Sequence, residues 1–235
     1  RTLERDFGVT APPAFVAGHS LGEYSALAAA GSLSLADGAR VLRRRGTAMQ
    51  AAVPPDVGAM AALIGKVTVE VAEAIAEAGQ AAGVVTVAND NNVGNVVISG
   101  EAVAVRAAKA QGIRGVMLQV SAPFHCPLMA PAADAMAPAL AEVALAPLAS
   151  PLVANVTARP TQVPSEIRAL LLEQITGRVR WRESCAFLHE TAGVQTFVEI
   201  GAGKMLSGMV KRTCPEAEVL SLEQPADLEA YAKRR

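Results

Sequence analysis

The stretch 18–22, Gly-His-Ser-Leu-Gly, constrains the fold more than any other part of the sequence. The apolar segment 14–17 precedes it, and an alanine- and leucine-rich segment follows as far as Gly31. A strand that enters a Gly-x-Ser-x-Gly turn and leaves it as a helix forms a nucleophile elbow, which projects the serine hydroxyl from a strained turn. The sequence therefore predicts an α/β fold with an α/β-hydrolase-like parallel-sheet core, and Ser20 as its nucleophile.

The helix that follows Ser20 bears on the same chemistry. Its first N–H groups lack acceptors within the helix, so the N–H of Leu21 is expected to stabilise an oxyanion that forms beside Ser20. The glycines on both sides, Gly18 and Gly22, are expected to remove side chains that would clash in the turn. The alternative is a tight connection that merely contains a serine, and the agreement of motif and context favours the nucleophile.

Composition argues against several classes of function. The 235 residues carry a net charge of −1 and only 3% aromatic residues, so neither a basic surface nor a stacking platform for nucleic acid is expected. No apolar run approaches the roughly 18 residues that cross a bilayer, so no membrane contact is expected. Three cysteines without CxxC spacing argue against a disulfide framework and a zinc site. We expect a soluble, cytoplasmic protein without a metal.

An arginine on the apolar face of the second helix is another candidate for chemistry. Ser34 followed by Asp37 has the form of a helix cap, and a helix from there to about Gln50 places Arg45 on its apolar stripe. A buried guanidinium needs an anion to offset its desolvation. Spacing alone leaves two partners equally open, which are an acidic side chain such as Glu23 and an anionic ligand.

The pattern changes after Pro55. Between residues 56 and 120 the order β-α-β-β-α-β is predicted, which is the ferredoxin-like unit. The chain is therefore divided into a large α/β subdomain, 1–55 with 121–235, and a small inserted subdomain, 56–120. The polar run 89–95 is predicted as a loop between the two middle strands. A plain hairpin connection is favoured there, and the alternative is that amides such as Asn89 bind a substrate carbonyl.

An activated serine needs a base, and the chain has three histidines. His19 adjoins the nucleophile, so its ring is expected to project away from the hydroxyl. His189 lies in a helix-like stretch, where a surface imidazole is the simpler interpretation. His125 lies in a proline-flanked segment between the two predicted subdomains and is the preferred base. Its neighbour Cys126 is predicted to be a small core residue, because no second base lies near it in the sequence.

Strands and helices alternate again after residue 151. The sequence Gly-Ala-Gly-Lys at 201–204 lacks the spacing of a phosphate-binding loop. A turn between a strand and a helix is therefore favoured over an anion site.

These residues together resemble the malonyl-CoA:acyl carrier protein transacylase family, the acyltransferases of bacterial fatty acid synthesis. The resemblance covers essentially the whole chain. It rests on Gly-His-Ser-Leu-Gly-Glu-Tyr-Ser-Ala-Leu at 18–27, Arg-Gly with Met-Gln at 45–50, Ala-Pro-Phe-His-Cys-Pro-Leu-Met at 122–129, and the helix bearing Gln174 with Glu-Ile-Gly-Ala-Gly-Lys at 199–204.

The resemblance implies that Ser20 is the nucleophile and His125 the base. The main-chain carbonyl of Gln174 would orient the imidazole in place of a carboxylate. The reaction would transfer a malonyl group from malonyl-CoA to Ser20, forming O-malonyl-serine, and then to the thiol of acyl carrier protein. No cofactor is implied, and we expect a monomer.

The resemblance also implies a set of substrate-binding residues. Arg45 would bind the malonyl carboxylate through both arms of its guanidinium. Phe124 is similar to the residue found in acyltransferases that take malonyl rather than methylmalonyl groups, because a ring there would crowd an α-methyl group. Apart from the resemblance, His19 and Asn89 are also predicted to bind the substrate.

One family motif does not occur in this sequence. The family begins with a strand that ends in Gly-Gln-Gly-x-Gln, whose glutamine supplies a second oxyanion donor. Because the sequence opens on Arg1 and residues 1–8 are similar to the end of a helix, we expect this chain to be a piece of a longer protein with that motif upstream. One oxyanion donor contributes ~100- to 1000-fold to the rate.

Three other functions stay open at this point. A polyketide-type acyltransferase domain would use the same chemistry. A serine esterase is opposed by the inserted subdomain and by the order of residues, since the α/β-hydrolase fold expects a catalytic acid between the serine and the histidine. A non-catalytic module that binds acyl carrier protein is the third.

Overall fold

The structure is a computed structural model that describes residues 2–111 and 113–234. Helices and strands alternate within these ranges in a mixed α/β arrangement. The first half contains α1 (Thr2–Phe7), α2 (Leu21–Ala29), α3 (Leu35–Ala51), β1 (Gly58–Ile64), α4 (Val69–Gly79), β2 (Val85–Asn92), β3 (Asn95–Glu101), α5 (Ala102–Lys109) and β4 (Gly115–Met117). The second half contains α6 (Ala130–Glu142), β5 (Leu152–Val153), β6 (Pro160–Thr161), α7 (Pro164–Glu173), α8 (Trp181–Ala186), β7 (Thr196–Ile200), α9 (Met205–Thr213), β8 (Glu218–Leu222) and α10 (Pro225–Ala232).

Shorter helical segments complete these elements. Single 3₁₀ turns occupy Gln80–Ala82 and Pro127–Met129, and a π-helical turn, Phe187–Thr191, continues α8. The helix tail predicted at 1–8 corresponds to α1, and Arg1 lies outside the described residues. Among the helices of the described ranges, none combines the length and the apolar character needed to span a membrane.

Strands β1 to β4 form one antiparallel sheet in the order β2-β3-β1-β4. Helices α4 and α5 pack on one face of it, where Leu63 and Ile98 are fully buried. Because side chains alternate along a strand, Met60 and Val97 lie on the opposite face, where Phe124 packs against them. The predicted order β-α-β-β-α-β is therefore observed, and the second face of this sheet is turned toward the histidine segment.

The prediction of a polar loop over the whole of 89–95 is wrong, whereas the hairpin connection favoured there is observed. Strand β2 continues through Asn92, and only residues 93–94 form the turn to β3. The register shifts twice along this strand, and its polar side chains are buried. Asp90, for example, forms an ion pair with Arg182 of α8 over 2.8 Å. Partners outside the sheet thus outweigh the low strand propensity of asparagine and aspartate.

The remaining helices enclose the largest core. Helices α2, α3, α6 and α7 contribute its fully buried side chains, among them Leu27, Met136 and Ile167. These helices fix the positions of the loops that carry the predicted site residues.

The predicted parallel sheet is much reduced in the described residues. Strands β7 and β8 are parallel, whereas β5 and β6 are antiparallel. The strand predicted at 14–17 consists of a single parallel bridge between Val16 and Leu152. Pro12 and Pro13 precede this segment without N–H donors and the elbow follows it, so few residues are left for a ladder.

Candidate active site

Ser20 lies directly before α2, in the turn that follows the bridge at Val16. Its main chain has φ 51° and ψ −107°. A residue with a side chain adopts such a conformation at a cost of ~1–3 kcal/mol. Gly18 permits the turn, since a Cβ atom there would lie 2.0 Å from the carbonyl oxygen of Gly22. At Gly22 a Cβ would meet no atom of the described chain within 4 Å, so the expected relief of a clash holds only for Gly18.

A side chain absent from the sequence prediction holds this turn. The Oδ1 of Asn155 accepts from the N–H of Ser20 over 2.7 Å, and its Nδ2 donates to the carbonyl of Gly18 over 2.8 Å. Asn155 is buried and lies just after β5, the strand that bridges to Val16. Its position just past a buried strand was the signal that could have revealed it.

The hydroxyl of Ser20 is paired with the imidazole of His125. Ser20 Oγ and His125 Nε2 are 2.8 Å apart, and His125 Nδ1 lies 2.8 Å from the main-chain oxygen of Gln174. That oxygen can only accept, so Nδ1 carries the hydrogen and Nε2 offers its lone pair to the hydroxyl. Gln174 caps the C-terminal end of α7, where the helix dipole is negative and favours a protonated imidazole. The pair is arranged for transfer of the serine proton to the histidine.

Burial first, and then the neighbouring guanidinium of Arg45, lower the pKa of His125 to about 3. The imidazole is therefore neutral near pH 7 and ready to act as a base. Its main chain, like that of Ser20, has a positive φ, here 58°. Both ends of the hydrogen bond thus lie on strained turns.

Arg45 lies on the buried face of α3 between Val41 and Met49, as the helical spacing predicted. Its Nη2 donates to Ser20 Oγ over 3.0 Å and to the side-chain oxygen of Gln174 over 2.8 Å. Of the two partners left open by the sequence, a direct ion pair with an acidic side chain is not observed for Arg45 in the described chain. The guanidinium lies beside the Ser20 hydroxyl without a carboxylate of its own.

The side chain of Gln174 separates Arg45 from Glu23. Its Nε2 donates to Glu23 Oε2 over 2.5 Å and to the main-chain oxygen of Ser20 over 2.9 Å. Glu23 is 1% exposed, and burial raises its pKa to about 7, against the donors of Gln174 and Asn155. The sequence predicted the carbonyl of Gln174 but neither its side-chain contacts nor the place of Glu23.

Leu21 is the first residue of α2, and in the described part of the chain its N–H has no acceptor. The N–H of the next residue donates to His19, and that of Glu23 to Ser20. The Leu21 N–H is therefore available next to Ser20, at the positive end of the helix.

The other predicted binding residues border this network. Phe124 is half-buried between the large core and the second face of the sheet. The ring of His19 turns away from the hydroxyl, with Nε2 2.9 Å from Asn91 Oδ1. Asn89 is buried in β2, where it forms a parallel bridge with Val179. Among the described residues, neither His19 nor Asn89 bonds to the serine–histidine pair.

The turn at 201–204 joins β7 to α9, which confirms the prediction of a strand-to-helix connection. The N–H groups of Leu206 and Ser207 donate to the carboxylate of Glu199 over 3.1 and 2.7 Å. The N-terminus of α9 therefore already holds an anion from its own chain.

A mixed α/β fold with a histidine-paired serine on an elbow is typical of serine-nucleophile enzymes. The family model of the acyl transferase domain matches residues 3–227, and the chain belongs to this family of acyltransferases.

Similar proteins agree with that assignment. The malonyl CoA-acyl carrier protein transacylase of Salmonella typhimurium is 41% identical over 223 residues, which cover 93% of this chain and 72% of the relative. An acyl-carrier-protein S-malonyltransferase from Bartonella henselae has a TM-score of 0.95 and 46% identity, and the match covers 100% of this chain and 76% of that one. A malonyl-transacylase solved with its type II polyketide acyl-carrier protein has a TM-score of 0.92 and 36% identity, covering 99% and 77%.

Proposed function

We propose that the protein transfers the malonyl group of malonyl-CoA to the phosphopantetheine thiol of acyl carrier protein, in fatty acid biosynthesis. The observation that carries this function is the position of Arg45, whose Nη2 lies 3.0 Å from Ser20 Oγ. One methylene separates the carboxylate of a malonyl group from its reacting carbonyl, so the group that binds the carboxylate must lie close to the nucleophile. The planar guanidinium suits bidentate pairing with that carboxylate.

In the first half of the reaction, His125 Nε2 takes the proton of Ser20, and Oγ attacks the thioester carbonyl. The N–H of Leu21 donates to the oxyanion of the tetrahedral intermediate. As the intermediate collapses, the bond to sulfur breaks and coenzyme A leaves with the proton from His125. The malonyl group remains as an ester on Ser20.

In the second half, His125 takes the proton of the carrier protein's thiol, and the sulfur attacks the ester carbonyl. The bond to Ser20 Oγ breaks, and His125 gives its proton to Oγ, which restores the hydroxyl. The main-chain oxygen of Gln174, 2.8 Å from Nδ1, keeps the imidazole in one orientation through both halves. Because the two substrates react in turn at one serine, the kinetics are ping-pong.

Selection of the acyl group falls to the residues around this pair. Arg45 disfavours acyl groups without a carboxylate. Phe124, next to His125 in sequence and packed against the sheet, limits the room for an α-methyl group. Asn89 and His19 lie where β2 meets the elbow, and we assign them to the wall of the substrate cleft.

The architecture proposed with this function has two subdomains, an α/β-hydrolase-like core of 1–55 and 121–235, and a ferredoxin-like insertion of 56–120. The sheet order β2-β3-β1-β4 with two helices on one face supports the insertion. The contacts of Phe124 with both apolar clusters support a cleft between the subdomains.

The setting of the reaction follows from the same chemistry. Every proton and acyl transfer above uses side chains of this protein, so the proposal includes no cofactor and no metal. We propose a cytoplasmic location, which agrees with three buried, unpaired cysteines. We further propose that the protein acts as a monomer.

The polyketide alternative has one observation in its favour, the similarity to a malonyl-transacylase solved with a polyketide carrier protein. The carrier would differ and the chemistry at Ser20 would not. The esterase and the non-catalytic module are less well supported, because Arg45 would disfavour neutral esters and the serine–histidine pair is fully assembled.

The test is incubation with malonyl-CoA followed by intact-mass measurement. We expect a malonyl adduct that Ser20→Ala abolishes and that Ser25→Ala, an exposed serine of the same helix, leaves intact. Added carrier protein with its phosphopantetheine arm should discharge the adduct much faster than water does. An adduct that forms without Ser20, or that water removes as fast as the carrier, would contradict the proposal.

A further inference from the structure

Glu23 takes no part in the reaction above, although it is buried next to the residues that do. Its two oxygens each receive one donor, Gln174 Nε2 over 2.5 Å at Oε2 and the N–H of Asn155 over 3.2 Å at Oε1. A carboxylate accepts at both oxygens and donates at neither. Both donors are therefore matched only by a carboxylate at this position.

Together with the main-chain oxygen of Ser20, which accepts from the same Nε2 over 2.9 Å, this match fixes the side-chain amide of Gln174 in one orientation. Its nitrogen lies toward Glu23 and its oxygen toward Arg45, at 2.8 Å from Nη2. The reversed amide would set two acceptors against each other at Glu23 and two donors against each other at Arg45. The carboxylate of Glu23 and the main-chain oxygen of Ser20 thus together determine which atom of Gln174 the guanidinium contacts.

We propose that Glu23 is a positioning residue that sets the preference for acyl groups carrying a carboxylate, by holding the Gln174 amide between itself and Arg45. The inference rests on the function proposed above and deepens it. Gln174 occupies one hydrogen bond of the guanidinium and keeps the carboxylate of Glu23 from pairing with it. Arg45 is held in place next to Ser20 while its charge remains available to the acyl group.

A direct contact between the two charged residues would have the opposite effect. A carboxylate bound to Arg45 in bidentate geometry would compete with the malonyl carboxylate for the same donors. The neutral amide does not compete, because it offers a single oxygen. The arrangement explains why a buried arginine and a buried glutamate lie on two sides of one glutamine instead of forming an ion pair.

The first test variant is Glu23→Gln, which keeps the size of the side chain. Its amide nitrogen must face either the N–H of Asn155 or the nitrogen of Gln174, and both are donors. If Gln174 reverses to relieve the second conflict, its nitrogen is turned toward Arg45 and displaces the guanidinium. We therefore expect the disturbance to reach the carboxylate site.

The second variant, Glu23→Gln with Gln174→Glu, exchanges the two groups. It conserves total charge, volume and the hydrogen bond between the two positions, but it places a carboxylate directly on Arg45 and removes the donor to the main-chain oxygen of Ser20. Apart from that lost bond, a purely structural role for Glu23 would be restored by this exchange, whereas a role as a separator would not.

The measurement is kcat/KM for loading of Ser20 from malonyl-CoA and from acetyl-CoA at about pH 8, above the pKa of Glu23 of about 7. The ratio of the two values does not depend on the fraction of folded enzyme. We expect both variants to lower the malonyl-to-acetyl ratio by about tenfold or more, as for loss of a hydrogen bond to a charged group, mainly through the KM for malonyl-CoA. Glu183→Gln, whose carboxylate pairs with Arg180 near the surface, should keep the ratio of the wild type.

Two results would overturn the inference: an unchanged ratio in Glu23→Gln, or a ratio restored by the exchange. If Glu23→Gln does not fold, the exchange variant decides alone. Failure of the proposed function looks different, because the wild type itself would then take up no malonyl group at Ser20.

Discussion

The side chain of Asn155 bonds to two main-chain groups of the elbow, one at Ser20 and one at Gly18. It accepts from the N–H of Ser20 over 2.7 Å and donates to the carbonyl of Gly18 over 2.8 Å, so one side chain from a distant part of the sequence holds the strained elbow. The position of the hydroxyl relative to His125 therefore depends on a residue that does not touch the substrate.

We expect Asn155→Ala to slow acylation of Ser20 by about 100-fold, the effect of a displacement near 1 Å. It should also lower the free energy of unfolding by about 1–3 kcal/mol, because two buried main-chain groups lose their partners. Single-turnover loading and urea unfolding measure the two effects. Thr157→Ala, two residues further along the chain, should change neither the loading rate nor the free energy of unfolding. If Asn155→Ala loads Ser20 at the wild-type rate, the elbow keeps its geometry without Asn155.

Arg45→Ala should reduce kcat/KM for malonyl-CoA by about 100-fold, because a partner of a buried charge pair is removed. Loading from acetyl-CoA should fall far less, since an acetyl group has no carboxylate. Arg44→Ala removes an exposed arginine from the same helix and serves as the control. Equal losses with both substrates would refute the assignment of Arg45 to the carboxylate.

Phe124→Ala should admit an α-methyl group. The ratio of methylmalonyl to malonyl loading at Ser20 is expected to rise about tenfold, because one methyl group in a pocket is worth ~1–3 kcal/mol. Competition between the two thioesters for Ser20, followed by mass measurement, gives the ratio directly. An unchanged ratio would place the methyl group elsewhere in the cleft.

The free energy of unfolding depends on pH through both Glu23 and His125, and the two contributions have opposite signs. The pKa of His125 falls from 6.5 to about 3 on folding, so its contribution to stability is lost as the pH falls below 6.5 toward 3. The pKa of Glu23 rises from 4.5 to about 7, so its contribution is lost as the pH rises from 4.5 to 7. Each slope is about 1.4 kcal/mol per pH unit. The slopes contributed by Glu23 and His125 should cancel each other between pH 4.5 and 6.5.

Glu23→Gln separates these two slopes. Relative to the wild type, its free energy of unfolding should rise with pH between 4.5 and 7, because the opposing carboxyl is gone. Urea unfolding of both proteins across this range measures the difference, in which the other titrating groups cancel. A constant difference would mean that Glu23 titrates at its ordinary value.

Arg182→Ala should lower the free energy of unfolding by about 3–5 kcal/mol, the cost of leaving a buried charge unpaired. Its partner Asp90 is 1% exposed and pairs with it over 2.8 Å. Arg180→Ala is the matched control, since its pair with Glu183 is about one third exposed and is worth ~0–1 kcal/mol. Similar losses of unfolding free energy in both variants would show that the buried pair stabilises the fold no more than the exposed pair does.

Local patterns predicted the elements that act through their own sequence. Helical spacing placed Arg45 on the buried face of α3, and the elbow motif placed Ser20 before α2. The cap of α3 was also predicted, and Ser34 accepts from the N–H of Asp37 over 3.0 Å. Each of these features depends on residues within one or two helical turns of each other.

The features that escaped prediction depend on contacts across the fold. Asn155 lies 135 residues from Ser20, and only the folded chain brings it to the elbow and to Glu23, whose carboxylate accepts from the Asn155 N–H. The polar residues of β2 have the pattern of a loop, because their partners, such as Arg182, lie 92 residues distant in the sequence. Propensity describes a residue without its partners, and these residues are stable in a strand only because of them.

Mutagenesis cannot remove the main-chain carbonyl of Gln174 that accepts from His125. Every amino acid at position 174 carries the same main-chain oxygen, so a scan of substitutions there would report on the side-chain amide and leave the orientation of His125 untouched. The hydrogen bond between His125 Nδ1 and this oxygen can be tested only by changing the main chain itself. Replacing residue Ile175 by its α-hydroxy acid turns the linkage into an ester, whose carbonyl is a weaker acceptor, and should loosen the imidazole without altering a single side-chain contact of the site.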